Sequence, residues 1–274
     1  HPARGMKVAV IITTYNRPDA LAAALDGYFA QDSHAFELLI ADDGSTDETR
    51  RLIVERAKSA PFPLWHVWHE DCGFRAAAIR NRALARTQAD YVIFSDGDCV
   101  PPRRFVSRHC ALAERGYFLS GNRILLSEAF TARVLREQVP IHTWHTAQWL
   151  AARLRRDVNR ALPLLTLPDG AFRKRAPERW KGVKTCNLSA WRRDLLAVNG
   201  LDEAYSGWGL EDSDLVVRLI RAGIKHKSAR FAAPVFHLWH REFDRSRLAE
   251  NQLRLDEVLS GARIEAASGV KQYL

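Results

Sequence analysis

The stretch that most constrains the fold runs from Tyr91 to Asp98 and reads Tyr-Val-Ile-Phe-Ser-Asp-Gly-Asp. Its first four residues are apolar and favour β-structure, which predicts a buried central strand. Two carboxylates, Asp96 and Asp98, follow this strand at once with Gly97 between them. Ligands of open α/β sheets bind beyond the carboxyl ends of the strands, and paired carboxylates supply the oxygen ligands of divalent cations. Asp and Gly are also common in plain surface turns, so an Asp-x-Asp pair alone does not decide between the two interpretations.

Strands and helices alternate through the first hundred residues. Lys7 to Thr14 is a near-continuous apolar, β-branched run, typical of an interior parallel strand. We predict further strands at Phe36 to Ala41 and Leu64 to Trp68, and helices starting at Pro18 and covering Asp47 to Lys58 and Phe74 to Arg86. The alternation predicts an α/β fold with a Rossmann-like, mostly parallel central sheet flanked by helices. Because the chain has neither a dinucleotide-binding glycine fingerprint nor a P-loop, bound phosphates would need a metal and basic side chains.

The charge balance favours anionic partners. The chain has 41 Lys and Arg against 32 Asp and Glu, a net charge of +9. This charge suits nucleic acid, phosphate-bearing substrates or an acidic membrane surface, and it does not choose among them. No apolar run approaches the roughly 18–20 residues that span a bilayer, no secretory signal pattern is present, and the four cysteines show no paired spacing. We therefore expect a cytoplasmic protein with reduced thiols and peripheral contact with the inner face of the cytoplasmic membrane.

The middle of the chain, Ser127 to Pro177, is rich in Arg, Trp and His. Four apolar residues recur at a spacing of four: Leu150, Leu154, Val158 and Leu162. With arginines on the other faces, this spacing predicts a basic amphipathic helix that packs on the sheet through its apolar stripe. The alternative is a lid, or a membrane-surface element, that contacts a lipid or a polysaccharide.

The last third of the chain carries a second set of polar residues. The run Tyr205 to Asp214 leads into helical periodicity, which predicts a helix that begins at Glu211 and Asp212. The positive end of that helix would keep the carboxylates ionised, although acidic residues are common at any helix N-terminus. The remaining predictions are strands at Gly182 to Ser189 and Phe231 to His240, a helix from Asp244 to Leu259, and a loosely ordered tail over the last fifteen residues.

Several segments resemble the signatures of one family. Val10 to Arg17, Ala41 to Asp47 and Ser95 to Asp98 resemble, in the same order, the N-terminal signatures of glycosyltransferase family 2. The run Gly207 to Asp212 resembles the Gly-Trp-Gly-x-Glu-Asp motif of β-1,4-galactosyltransferases and bacterial chondroitin-polymerase-like transferases. The resemblance covers residues 7–126 most strongly. It implies a GT-A fold, a single catalytic domain and a nucleotide-sugar donor.

The resemblance also implies roles for individual residues. Around the base and ribose of the donor it implies Thr13, Tyr15, Arg17, Asp42 or Asp43, Arg75 and Asp96. Asp98 would bind Mn²⁺ or Mg²⁺ together with His237 or His240, and the spacing does not say which histidine ligates. Asp212 would be the general base, and the substrate-binding residues would be Trp208, Glu211 and Asn187.

These observations predict three parts of one catalytic domain. Residues 6–126 form a nucleotide-sugar-binding half, 127–181 a helical insertion, and 182–260 an acceptor-binding and catalytic half. The predicted activity is inverting, metal-dependent transfer of a hexose from a UDP-sugar to a saccharide or glycolipid, in the synthesis of a bacterial surface polysaccharide or lipopolysaccharide. A nucleotidyltransferase is the alternative enzyme, although the segment after the first strand, Thr13 to Arg17, lacks its glycine-rich loop. A nucleic-acid-binding protein is suggested by charge alone, and we expect no nucleic-acid partner.

Overall fold

A computed structural model of the chain describes residues 5–241 and 244–274. Its centre is a seven-stranded sheet made of β1 (Val8–Thr14), β2 (Glu37–Asp42), β3 (Leu64–Trp68), β4 (Tyr91–Asp96), β6 (Tyr117–Ser120), β8 (Asn187–Trp191) and β9 (Lys225–Ser228). A second, smaller sheet contains β5 (Cys99–Val100), β7 (Arg123–Leu125) and β10 (Val235–His237). The strand orders are β3-β2-β1-β4-β8-β6-β9 and β5-β10-β7. In the large sheet only β8 runs antiparallel to its neighbours, which confirms the predicted mostly parallel sheet.

Helices pack on both faces of the large sheet and against the small sheet. They are α1 (Pro18–Phe29), α2 (Asp47–Ala57), α3 (Ala76–Arg86), α4 (Phe105–Leu112), α5 (Glu128–Glu137), α6 (Thr146–Leu154), α7 (Arg192–Ala197), α8 (Glu211–Arg221) and α9 (Leu248–Ser260). Within the described residues, no helix combines the length and the apolar character needed to cross a bilayer.

Strand β1 shows why the sheet is buried on both faces. Val10 and Ile12 pack into a core that contains residues of α1 and α4. The alternate residues Ala9 and Ile11 pack into a second core with residues of α3 and α8. Because successive side chains of a strand point to opposite faces, the continuous apolar run of β1 requires a layer of helices on each side.

The carboxyl ends of β1 and β4 are held tightly together. Thr13 lies opposite Asp96 in the parallel register, and the amide of Gly97 donates to the carbonyl of Thr13 at 2.6 Å. A Cβ at position 97 would lie 2.9 Å from that carbonyl oxygen. Only glycine fits this close approach without a shift of the backbone. The residue between the two carboxylates therefore fixes the distance between β1 and the turn that follows β4.

Two predicted strands are shorter in the structure. The strand expected over Gly182 to Ser189 begins at Asn187, because the chain before it is a turn in which the Asn187 amide bonds to the Lys184 carbonyl. The strand expected over Phe231 to His240 covers only Val235–His237. Phe231 has a φ of 58°, which an extended strand cannot contain.

The predicted long amphipathic helix is also wrong in extent and orientation. Helix α6 ends at Leu154, and the chain then turns through Arg156, whose φ is 63°. The helix packs through Trp149 and Ala152, whereas Leu154 of the predicted apolar stripe is 85% exposed. Trp149 stacks on Phe236 of β10 with ring centroids 4.0 Å apart. This contact buries more apolar surface than a leucine could, and it decides which face of α6 packs inward.

The end of the chain is packed, in contrast to the predicted loose tail. Residues Val270–Tyr273 form a 3₁₀ turn, and Val270 is fully buried in the core beside α3. The Lys271 amide donates to the side-chain oxygen of Asn199, and the Tyr273 hydroxyl donates to Glu203. The small, polar composition of this segment concealed the anchoring role of Val270.

The buried tail leads to a stability prediction. We expect Val270→Ala to lower the free energy of unfolding by about 2 kcal/mol, because it removes two buried methyl groups and leaves a cavity. Denaturant unfolding followed by fluorescence measures this change. Leu274→Ala is the matched control, since Leu274 is 62% exposed and should change the free energy by less than about 0.5 kcal/mol. Equal, small effects of both substitutions would show that the tail does not pack on α3.

Candidate active site

One cavity of about 480 Å³ opens at the carboxyl ends of β1 and β4. It brings together most of the residues that the sequence singled out: Thr13, Tyr15, Arg17, Asp43, Asp96, Asp98, Trp208, Glu211, Asp212, His237 and His240. Asp98 and Asp212 are more than a hundred residues apart in the chain, yet they line the same cavity. The three N-terminal motifs and the C-terminal motif therefore form a single site.

Asp98, His237 and His240 form a cluster in the wall of this cavity. Strand β10 runs antiparallel to β5, which pairs His237 with Cys99, and the Leu238 amide donates to the Asp98 carbonyl at 2.9 Å. This pairing places the Nε2 atoms of His237 and His240 at 3.8 Å and 3.6 Å from Asp98 Oδ2. The candidate ligand atoms all lie within 4.8 Å of one another. Both histidines lie within 4 Å of Asp98, so both remain candidate ligands.

The donor set of this cluster fits a divalent cation. Burial lowers the pKa of His237, which favours the neutral imidazole that can donate a lone pair to a metal. One carboxylate with two imidazoles suits Mn²⁺, and also other divalent ions that accept nitrogen ligands. Mg²⁺ prefers an oxygen-only shell, so the two histidines favour Mn²⁺ over Mg²⁺.

Arg80 links the two halves of the site. Arg80 is only 4% exposed. Its guanidinium lies 2.9 Å from Asp96 Oδ1 and 3.4 Å from Glu211 Oε1. Burial alone would lower the pKa of Arg80, but the two carboxylates outweigh it and raise the pKa. A buried cation with two acidic partners is costly to leave unpaired, so removal of either partner should disturb the other.

A glycine-rich turn sets up Glu211 and Asp212. Gly207, Gly209 and Leu210 have φ values of 71°, 104° and 78°. At Gly209 in particular, a φ of 104° lies outside the range that other residues adopt readily. The turn ends where α8 begins, so both carboxylates lie in the first turn of that helix, where its N-terminal dipole favours negative charge.

The two neighbouring carboxylates differ in their surroundings. Burial, and then repulsion from Asp212, raise the pKa of Glu211 to about 7. Asp212 accepts a hydrogen bond from the Ser213 amide at 2.8 Å, and its Oδ2 lies 3.4 Å from Lys184 Nζ. Glu211 thus holds a proton close to neutral pH, while Asp212 has a lysine beside it in the cavity wall.

The N-terminal residues Thr13, Tyr15 and Asp43 also line this cavity. The Thr13 hydroxyl donates to Asp96 Oδ1 at 2.7 Å, and the Tyr15 hydroxyl donates to Asp71 at 2.9 Å. Asp43 accepts from the Arg75 amide at 2.8 Å and contacts His69 at 2.6 Å. Tyr15 is 43% exposed, so its ring face remains available to a ligand.

Three of the predicted site residues do not line the cavity. Asp42 is buried and bonds to the Ser45 amide and to His66. The Arg75 guanidinium donates to the carbonyl of Glu70, and only its backbone amide reaches Asp43. The Asn187 side chain donates to the carbonyls of Asn122 and Ala233 and contacts His109. The side chains of Asp42, Arg75 and Asn187 thus have partners within the fold and do not line the cavity.

The sequence analysis gave no role to four basic residues that do line the cavity: Arg80, Arg123, Lys184 and Arg241. Arg80 had a signal, because it lies on the face of α3 that carries the buried residues Ala76, Ala83 and Leu84. A charged residue on the buried face of a helix indicates a buried partner. The other three lie in or beside irregular segments, where no periodicity marks them. Among the described lining residues, five Lys and Arg face five Asp and Glu.

Solved structures share this architecture. The chain aligns with the crystal structure of TarS residues 1–349 from S. aureus in complex with UDP at a TM-score of 0.63 and 14% identity, covering 98% of this chain and 68% of that one. It aligns with mannosyltransferase PcManGT from Pyrobaculum calidifontis, in complex with GDP-Man and Mn²⁺, at a TM-score of 0.58 and 17% identity, covering 94% of this chain and 63% of that one. The fold is that of the GT-A transferases.

Sequence comparison gives the family. Residues 9–175 match the profile of glycosyl transferase family 2, and residues 171–241 match the profile described as the N-terminal domain of galactosyltransferase. The chain belongs to glycosyl transferase family 2, and the described fold is its glycosyltransferase domain.

Curated relatives agree with this assignment. A validoxylamine A glucosyltransferase of Streptomyces hygroscopicus subsp. limoneus is 30% identical over 79% of this chain and 48% of its own length. The chondroitin synthase of Escherichia coli is 23% identical over 82% of this chain and 34% of its own. The chain thus spans about half the length, or less, of these two relatives.

The raised pKa of Glu211 predicts a pH dependence of stability. Its pKa is 4.5 as an ordinary glutamate and about 7 when folded, so between these values the folded state binds the proton more tightly. The ionised carboxylate disfavours folding, and stability should fall as pH rises from about 4.5 to about 7. Glu211 should account for a loss of unfolding free energy on the order of 2 kcal/mol across this window, and Glu211→Gln should remove that loss. Denaturant unfolding at the pH values of both ends of the window measures the change. Identical pH profiles for the two proteins would contradict the pKa shift.

Proposed function

We propose that this domain is an inverting, metal-dependent glycosyltransferase. It would transfer a hexose from a nucleotide-diphosphate donor, with UDP as the leading candidate, to a hydroxyl of a saccharide or glycolipid. The observation that carries the proposal is the shared cavity, which the candidate metal cluster at Asp98 lines together with the carboxylates Glu211 and Asp212. Such a site could hold a diphosphate beside the cation and an attacking alcohol beside a carboxylate.

The donor side follows from the charges. Asp98, His237 and His240 would hold Mn²⁺, and a bound divalent cation neutralises charge that develops on a leaving diphosphate. Arg123 and Arg241 line the same cavity and offer guanidinium groups to phosphate oxygens. Thr13, Tyr15 and Asp43 would contact the base and ribose. UDP is favoured because the sequence pattern of Thr13, Tyr15 and Arg75 resembles uridine-binding relatives and because TarS, of the same fold, was solved with UDP.

The chemistry at the acceptor needs one base. In an inverting transfer the acceptor oxygen forms a bond to the anomeric carbon while the bond from that carbon to the diphosphate breaks on the opposite face. Asp212 would take the proton from the acceptor hydroxyl. Glu211 is the less suitable base, because its carboxylate already accepts a hydrogen bond from the buried guanidinium of Arg80. A single carboxylate suffices here, unlike the pair used by glycoside hydrolases.

The acceptor would bind beside Trp208. This residue lines the cavity, and the guanidinium of Arg245 lies 4.8 Å from its ring centroid. An aromatic ring with a nearby cation gives a sugar both an apolar face and a hydrogen-bond donor. Relatives named as chondroitin and hyaluronan synthases support a saccharide acceptor, and we place the reaction in the synthesis of a bacterial surface polysaccharide or lipopolysaccharide.

The proposed metal site predicts that Asp98→Asn loses cation-assisted nucleotide binding. With the wild-type domain, UDP should raise the melting temperature more in the presence of Mn²⁺ than in its absence, because a ligand of the native state stabilises it. Asp98→Asn should remove this Mn²⁺-dependent increment. Asp256→Asn, on exposed helix α9, is the control and should retain it. A full increment in Asp98→Asn would remove Asp98 from the metal site.

The proposed base predicts a separate loss. We expect Asp212→Asn to lower kcat by at least about 100-fold, since general-base catalysis contributes about 10²–10⁴. The Mn²⁺-dependent stabilisation by UDP should stay intact in this variant. Asp47→Asn is the matched control, because Asp47 occupies the first turn of α2 and lies outside the cavity. Release of UDP from UDP-sugars with an oligosaccharide acceptor measures the rate, and an unchanged rate in Asp212→Asn would exclude it as the base.

A further inference from the structure

The segment from residue 146 to 181 carries most of the net charge of the chain. Its 36 residues contain nine Lys and Arg and three Asp and Glu, a net charge of +6 out of +9 for the whole chain. The same segment is unusually apolar on its surface. It contributes six of the fifteen large hydrophobic side chains that are exposed among the described residues: Leu150, Leu154, Leu162, Leu165, Leu167 and Phe172. We call these residues, with the arginines between them, the basic leucine surface.

The leucines are exposed although the backbone beneath them is anchored. On α6, Leu150 and Leu154 are four residues apart and lie on one face, away from the buried Trp149 and Ala152. In the following turn Pro163 is buried, whereas Leu162 on one side of it is 62% exposed. The fold therefore holds this segment in place and leaves its leucines outside the core.

Arg173 secures the far end of the segment. Its guanidinium is buried and donates to the carbonyls of Leu167, Pro168, Ser228 and Arg230. These bonds fix the chain on both sides of the turn at Gly170. An anchored segment with apolar side chains facing solvent indicates a surface that contacts something else.

The surface lies next to the cavity. The guanidinium of Arg160 donates twice to the carbonyl of Arg123, at 3.0 Å and 2.8 Å, and Arg123 lines the cavity wall. This contact connects the basic leucine surface to a residue of the cavity wall.

We propose that the basic leucine surface docks the domain on an anionic lipid bilayer. The leucines would enter the boundary between headgroups and acyl chains, while arginines such as Arg153 and Arg156 meet anionic headgroups. A second copy of the chain fits less well, because a two-fold interface would bring the same positive surfaces together. Nucleic acid would use the arginines but leave the leucines without a role. A lipid-borne acceptor follows only if the domain is a transferase as proposed above, whereas docking does not depend on catalysis.

Flotation with lipid vesicles tests this docking. The wild-type chain should float with mixed phosphatidylcholine and phosphatidylglycerol vesicles and stay unbound with phosphatidylcholine alone. Raising the ionic strength from about 0.1 M to about 1 M shortens the screening length from about 10 Å to about 3 Å, and should release most of the bound protein. Equal binding to both vesicle types, or no binding to either, would overturn the proposal.

Two variants test whether the leucines and arginines act together. One variant combines Leu154→Ser with Leu162→Ser, and the other combines Arg153→Gln with Arg156→Gln. Each variant should weaken vesicle binding by about tenfold or more. The matched controls are Leu253→Ser, at an exposed leucine on α9, and Arg51→Gln, at an exposed arginine on α2; both should bind as the wild type does.

Two further measurements separate this proposal from its rivals. The stabilisation by UDP with Mn²⁺ should be unchanged in all four variants, so a failure of the transferase proposal would not look like a failure of docking. Sedimentation velocity should show the same monomer or oligomer for wild type and leucine variant. Loss of self-association in the leucine variant would instead assign the surface to a second copy of the chain. Salt-dependent binding to duplex DNA that only the arginine variant loses would assign it to nucleic acid.

Discussion

The contact on which the site depends is the buried ion pair network of Arg80. Its guanidinium lies between Asp96, which ends strand β4, and Glu211, which begins helix α8. Breaking a buried pair of this kind typically costs about 3–5 kcal/mol, because the remaining charge is left without compensation in a region of low dielectric. The two halves of the chain are thus joined at the cavity itself by an electrostatic contact between Arg80 of the first half and Glu211 of the second.

The small sheet positions the residues of the candidate metal cluster. The two strands involved, β5 and β10, are only two and three residues long, and their antiparallel pairing sets His237 beside Asp98. Neither strand would be stable alone, since short isolated pairings are marginal in water. Trp149 supports them from behind by stacking on Phe236. The segment that contains α6 therefore helps to position the two histidines, and it also carries an exposed surface.

The sequence analysis found the cavity residues that lie in recognisable motifs and missed those that lie outside them. Asp98, Asp212, Trp208 and the histidines could be found because they occupy ordered motifs at the ends of predicted strands and helices. Arg123 could not, because its place in the cavity depends on the pairing of β7 with β10 far along the chain, and Lys184 could not, because it lies in an irregular segment before β8. Asn187 lies outside the cavity for a related reason. It is adjacent to the site in sequence, but the order β4-β8-β6 buries it in the sheet, where backbone carbonyls take its amide.

The packed end of the chain has a practical consequence for defining the catalytic unit. Tyr273 stacks under the guanidinium of Arg82, and Val270 fills the core beside helix α3, the same helix that presents Arg80 to the cavity. A fragment cut at residue 260, where the last long helix ends, would expose that core and remove a support of α3. A fragment that is to retain the packing of α3 accordingly extends at least to Tyr273.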